Sequence, residues 1–178
     1  MGKAERLKDK ETEIIKSVKS FKNISEAKDF AKENFQGKSF RNKDTGEDIL
    51  VSRNSIDKTL SSKAFNQSEN QNAHIKTMGI LDKIIENSIL VEEHSDKNNS
   101  QDVEGVQRFY GAVEIDGDVY RVKTTVKQIK NEGNKYYTIL MKYRKLNYQR
   151  KTTGNSTLWK DQKPPPIVLI IQFQWQIY

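Results

Sequence analysis

The stretch RFYGAVEIDGDVYRVKTTVKQ, residues 108–128, decides how this chain folds. Apolar and polar residues alternate on both sides of Asp116-Gly117, the period of a half-buried strand. Asp-Gly between two such runs suits a two-residue hairpin turn, because both turn positions need positive φ. The stretch therefore predicts antiparallel strands over 109–115 and 119–129. A second turn over 131–134, with Gly133, leads to a third strand over 135–146, completing an antiparallel meander. On the middle strand Tyr120, Val122, Thr124 and Val126 share the face expected to meet helices. Arg121, Lys123, Thr125 and Lys127 share the other. With Lys130 paired to Lys135, the ladder sets Lys127 opposite Thr138, Lys123 opposite Lys142 and Arg121 opposite Arg144. Like charges so opposed destabilise a sheet by about a few tenths of a kcal/mol or more per pair. Two such pairs in succession call for a compensating anion, and phosphates would supply it.

The distribution of charge agrees. The net charge is +7, yet residues 1–118 hold 19 Lys+Arg against 22 Asp+Glu. Residues 119–160 hold 11 Lys+Arg against the single acid Glu132. That bias exceeds what solubility needs and points to a polyanion, nucleic acid first. Tyr136 falls on the same face. It either stacks on a base, worth about 1–3 kcal/mol in single-strand recognition, or packs across strands.

Length and composition bound the rest. The 178 residues suit one domain with extensions, and a hydrophobic content of 34% against 31% charged residues implies a small core. There is no cysteine, which excludes disulfides and thiolate metal sites. No cofactor or metal motif appears, and His74 and His94 lack carboxylates at ligand spacing. The N-terminus carries no signal-peptide pattern, and the apolar run 167–171 is too short to span a bilayer. A soluble, cytoplasmic protein is expected.

Upstream of the meander, residues 56–90 hold the other informative feature. A polar run, 61–72, reads as a loop that covers something or moves, and a helix begins at Ala73 and His74. His74 shares a face with Met78, Leu81 and Ile85. A helix N-terminus disfavours the imidazolium form, so the ring would be neutral and fit to act as a general base. A lone histidine on an apolar helix face is also what a hydrogen-bonded core residue looks like. Residues 4–22 show a helical stripe. Ser25 reads as the N-cap of a second helix that stops at Gly37, with no capping box. Asp44-Thr45-Gly46 reads as a turn before a strand at 49–52, and 88–92 as another strand. Residues 93–106 read as a polar insertion, with His94 an exposed loop histidine. In the tail, Pro164-Pro165-Pro166 precedes IVLIIQFQWQIY, a segment of strong β-propensity that could add a strand to the sheet.

The stretches KDFAKENFQGKSFRNKDTGEDILVSRNSIDKTLS (28–61), AHIKTMGILDKIIENSILVEE (73–93), 108–128 and KYYTILMKY (135–143) together resemble a phage and mobile-element nuclease family. These are the barnase–EndoU–colicin–RelE-like domains of large polyvalent phage proteins and of phage and bacterial toxins. The resemblance covers 21–146, leaving 1–20 as a helical extension and 147–178 as a tail. It implies an α+β fold of N-terminal helices packed on an antiparallel meander, and a toxin-like, metal-independent endoribonuclease. In such enzymes the 2′-hydroxyl attacks the adjacent phosphate to give a 2′,3′-cyclic product. The implied catalytic set is His74 as base, Lys58 and Arg121 as charge stabilisers and Thr138 as a phosphate hydrogen-bonder. Lys123, Lys127, Tyr136, Lys142 and Arg144 would hold the RNA. His94 would have to be the second histidine frequent in relatives, and Arg108 and Tyr110 are further possibilities. RNA and a protective immunity or antitoxin protein are the implied partners, with no cofactor. The alternatives are a non-catalytic RNA-binding or protein-interaction module, and a structural phage protein that contacts DNA.

Overall fold

The computed structural model describes residues 11–17, 19–98, 100–130, 136–145 and 168–170. In chain order the elements are β1 (Glu11–Lys16), α1 (Ile24–Phe35), β2 (Ser39–Arg41), β3 (Asp48–Leu50), α2 (Arg53–Thr59), α3 (Ser62–Asn66) and α4 (Gln71–Thr77). A 3-10 turn (Met78–Ile80) leads to α5 (Leu81–Asn87), β4 (Ile89–His94), β5 (Val103–Ile115), β6 (Asp118–Ile129), β7 (Tyr136–Lys145) and β8 (Val168–Ile170). The fold class is α+β. The sheet runs β7-β6-β5-β1-β8, with β4 also paired to β5, and β2 and β3 form a separate ribbon.

The hairpin follows directly from its residues. Asp116 and Gly117 have φ of 53° and 85°, so both turn positions are left-handed, as the tight β5–β6 connection requires. The β6–β7 register is the one expected, with Lys127 opposite Thr138, Lys123 opposite Lys142 and Arg121 opposite Arg144. Tyr120, Val122 and Val126 enter the core with Phe109 and Val113, beneath Ala27, Ile56, Met78 and Ile84 of the helical layer. The starts of α1 to α4 are each set by a short polar side chain, whereas α5 follows the 3-10 turn without one. Asn23, Ser52, Ser61 and Asn70 accept from the backbone amides of Glu26, Ser55, Ala64 and Ala73.

Several expectations are corrected. The segment read as an N-terminal helix contains the strand β1, which runs parallel to β5, with Ile14 opposite Ala112, and antiparallel to β8. A flank on each side satisfies its backbone, and this outweighs the helical stripe. The first helix is capped by Asn23, not Ser25, and Glu26 reaches back to the Lys22 amide at 2.7 Å. Gly37, at φ +77°, follows its end as expected. The proposed insertion is shorter than its polarity suggests, because β4 extends to His94 and β5 starts at Val103. The meander thus has a fourth strand, and β8, from the tail region, adds to the sheet by pairing with β1.

Asn42 ties the β2–β3 ribbon to the helical layer. It is fully buried, donates to the carbonyls of Ile85 and Ser88 at 2.7 and 2.8 Å, and accepts from the amides of Asp44 and Thr45. Asn42→Ala should lower unfolding free energy by about 2 kcal/mol, since four backbone groups lose a buried partner. Urea unfolding at neutral pH checks this, and a loss under about 0.5 kcal/mol would mean that water replaces the amide.

Candidate nucleic-acid interface

The face of the sheet turned away from the helices carries the basic ladder. Across β5 and β6, Tyr110 lies opposite Lys123, Arg108 opposite Thr125, Ala112 opposite Arg121 and Val106 opposite Lys127. Direct partners across an antiparallel ladder share a face. The Arg121 guanidinium stands 5.4 Å from the Tyr110 ring centroid and the Lys123 ammonium 6.0 Å. Two cations therefore converge on one ring, whose electron-rich face partly offsets their repulsion. Burial pushes the Tyr110 phenol up, and the nearby Glu92 carboxylate adds to this.

A bulge in β4 brings an acid and an imidazole to the same face. Leu90 pairs with Phe109 and turns toward the core, but the next partner of β5, Arg108, is Glu92 rather than Val91. One residue is skipped, and with it the alternation of the strand. Glu92 therefore stands beside Arg108, and His94, opposite Val106, follows on the same side. Glu92 Oε2 accepts from the Arg108 guanidinium at 2.5 Å, with the two side chains 31% and 26% exposed. The His94 Nδ1 lies 2.7 Å from the Ser95 carbonyl. A carbonyl can only accept, so Nδ1 carries the proton in that contact. Neither His94 Nε2 nor Arg108 Nε, both enclosed, finds a hydrogen-bond partner among the described residues. Nearby, Asp96 accepts from Lys127 Nζ and the Ser100 amide, each at 3.2 Å. Ser100, then Lys127, hold its carboxyl down to about 2. Lys127 is therefore already paired.

His74 is elsewhere. It sits in α4, fully buried, with Nδ1 2.7 Å from Ser68 Oγ and its ring 5.5 Å from that of Phe65. Burial lowers its pKa to about 4, and a backbone hydrogen bond with Thr59 acts the other way. One turn earlier on the same helix, Asn70 Nδ2 donates to the Tyr120 hydroxyl, on the helix-facing side of β6. The sheet thus stands between His74 and the Arg121–Lys123 face. The ring is neutral, as expected, but through burial rather than a helix dipole. It is the hydrogen-bonded core residue, not a base within reach of a phosphate held by Arg121. The run 61–72 does cover something, namely this histidine, through α3 and Ser68. Lys58 is exposed on α2, in the helical layer.

The other expected residues are located by backbone register alone. Thr138, Lys142 and Arg144 occupy positions of β7 opposite the basic residues of β6, and Tyr136 pairs with Ile129 on the same alternation. Sequence reasoning did not find Glu92 beside Arg108, because the bulge that aligns them has no signature in the residues themselves. Among the described residues, no group of three or more His, Cys, Asp or Glu could hold a metal ion. No helix there is long and apolar enough to cross a membrane.

Fold and site together define an α+β domain whose sheet is covered by helices on one side and basic on the other. A family model described as large polyvalent protein-associated domain 3 matches residues 19–137, and the chain belongs to that family. No curated protein and no solved structure matches it.

Proposed function

We propose that this domain is a metal-independent endoribonuclease of the toxin-like kind carried by phage and mobile-element polyvalent proteins. In this reading its helix-covered meander is a variant of the barnase–EndoU–colicin–RelE-like fold. The observation that carries it is the β6–β7 register, which opposes Arg121 to Arg144 and Lys123 to Lys142. Such a ladder costs stability in the free protein and repays it on a phosphate backbone. Cleavage proceeds by attack of the 2′-hydroxyl on the adjacent phosphate, with the basic face stabilising the charge that develops on the phosphorane oxygens. An immunity or antitoxin protein would cover that face in the producing cell.

A second reading, a non-catalytic RNA-binding module, is favoured by one specific observation: the histidine on the helical layer is sealed in the core. Incubating the protein with RNA and with DNA of matched sequence in EDTA separates the two. The ribonuclease gives RNA fragments ending in 2′,3′-cyclic phosphate and leaves DNA intact. The binding module retains RNA without cutting it. Equal affinity for both polymers without cleavage supports a DNA-contacting structural role instead.

A further inference from the structure

The edge of β5 that faces away from β6 is shared by two strands of unlike attachment. β4 covers it antiparallel from Val106 to Tyr110, and β1 covers it parallel from Ala112 to Glu114. Parallel pairing is the weaker of the two. β1 reaches β5 over Ile14–Lys16 alone, and of residues 13–16 only Ile14 is buried, with Ile15 partly so and Glu13 and Lys16 exposed. β8 pairs with β1 and, among the described residues, with no other strand. Both strands also lie outside the family match at 19–137, which contains the whole of β4, β5 and β6. Beneath β1 the edge is apolar, with Ala112 and Val113 fully buried. An edge of this kind, once uncovered, is a template for a strand from another chain.

We infer that β1, with β8 behind it, is a detachable strap, and that the uncovered edge takes the same segment of a second copy of this chain. The edge reads four consecutive residues. Ile14 lies opposite Ala112, Ile15 packs against the core, Lys16 pairs with Glu114 at 3.6 Å, and Ser17 bonds twice. The Ser17 amide donates to the Glu114 carbonyl at 3.0 Å, and its hydroxyl donates to the Lys76 carbonyl at 2.9 Å. A second copy carries the same Ile-Ile-Lys-Ser order, so exchange remakes every one of these contacts, the low-cost route by which identical elements swap. The swing point is fixed as well. Lys19 Nζ stands 3.7 Å from the Phe30 ring centroid, and the Lys19 side chain lies so close to Gly79 that a Cβ there would come within 2.6 Å of it. Phe21 follows into the core. The chain is thus anchored from Lys19 onward, two residues past Ser17, and short hinges are the ones that invite exchange. This exchange is independent of what the basic face binds.

Hydrogen exchange on the wild-type chain is the first test. The amides of residues 14–17 and 168–170 should exchange at least about 10²-fold faster than those of 120–126 in β6, because a unit with few buried contacts opens without the rest. Equal rates would mean that β1 opens only with the whole fold, and would overturn the strap. Disulfides test the second copy, since the chain has no cysteine. Lys16→Cys and Glu114→Cys proteins, mixed at high concentration in a glutathione buffer, should give a disulfide-linked heterodimer at least about tenfold more abundant than either homodimer, because paired strands hold such positions within disulfide span. Both substitutions in one chain should lock the strap, keep the protein monomeric and slow exchange at 14–17 to the β6 rate. Fast exchange with no excess of heterodimer would leave a strap that serves its own chain alone, and overturns the second-copy assignment. Should Glu114→Cys fail to fold, Ile14→Cys mixed with Ala112→Cys decides in the same way.

Discussion

His74→Ala should lower the unfolding free energy by about 3 kcal/mol or more. The ring is fully buried, so its removal leaves a cavity, and emptying a core site of this size costs about 3 kcal/mol. Ser68 Oγ loses a partner held at 2.7 Å as well. The same burial makes stability depend on pH. The folded ring titrates at about 4 against an ordinary 6.5, so the unfolded chain binds the proton first as pH falls. Its contribution is complete above pH 6.5 and is lost progressively between there and about pH 4. A difference of about 2.5 pH units amounts to about 3 kcal/mol. Urea unfolding at pH 7, 5.5 and 4 should show that decline in the wild type and a flatter profile in His74→Gln. Equal slopes in the two proteins would show that the ring charges freely in the fold. If folded His74→Gln lost RNA cleavage while keeping RNA affinity and stability, the histidine would return to the chemistry.

Replacing Arg121 and Lys123 together by alanine should weaken RNA binding at least about tenfold at low salt. If each makes one phosphate contact, the slope of log affinity against log salt should flatten by about 1.4, at about 0.7 per contact on a single strand. Stability should move the other way or not at all. The substitution removes two like-charge pairs from the ladder, a relief of a few tenths to about 1 kcal/mol, set against two cation–π contacts to Tyr110. Opposite signs in binding and stability are what a surface kept for a ligand predicts. A variant that unfolds more easily but binds RNA as before would mark these cations as structural. Titration by fluorescence anisotropy at several salt concentrations, beside urea unfolding, reads both quantities.

Much of the sheet was legible in residues 108–128. The alternation of Tyr120, Val122, Thr124 and Val126 with Arg121, Lys123, Thr125 and Lys127 defined both faces. Asp116-Gly117 fixed the turn, and hence the β5–β6 register as far as the irregularity between Val103 and Gly105. These are local regularities, and a period of two needs no tertiary information to be read. The helical spacing of His74, Met78, Leu81 and Ile85 was equally plain, and all four are buried. What the spacing could not say was which of the two readings of His74 held, because an apolar face looks the same beside a cleft as beneath a core. The N-terminal stripe misled for a related reason. A strand held between β5 and β8 draws its stability from partners about a hundred residues or more away in the chain, which no local pattern reports.

The chain by itself determined a charged, helix-backed meander and the identity of the residues along its basic ribbon, since alternation and turn chemistry are properties of neighbouring residues. Only the tertiary structure decided which titratable groups meet that ribbon. The skipped Val91 turns Glu92 and His94 to the basic side, and Phe65, Ser68 and Thr59 close around His74. Both outcomes depend on how separate segments pack and pair, and a pairing offset of a single residue is enough to exchange the side chains that face solvent for those that face the core.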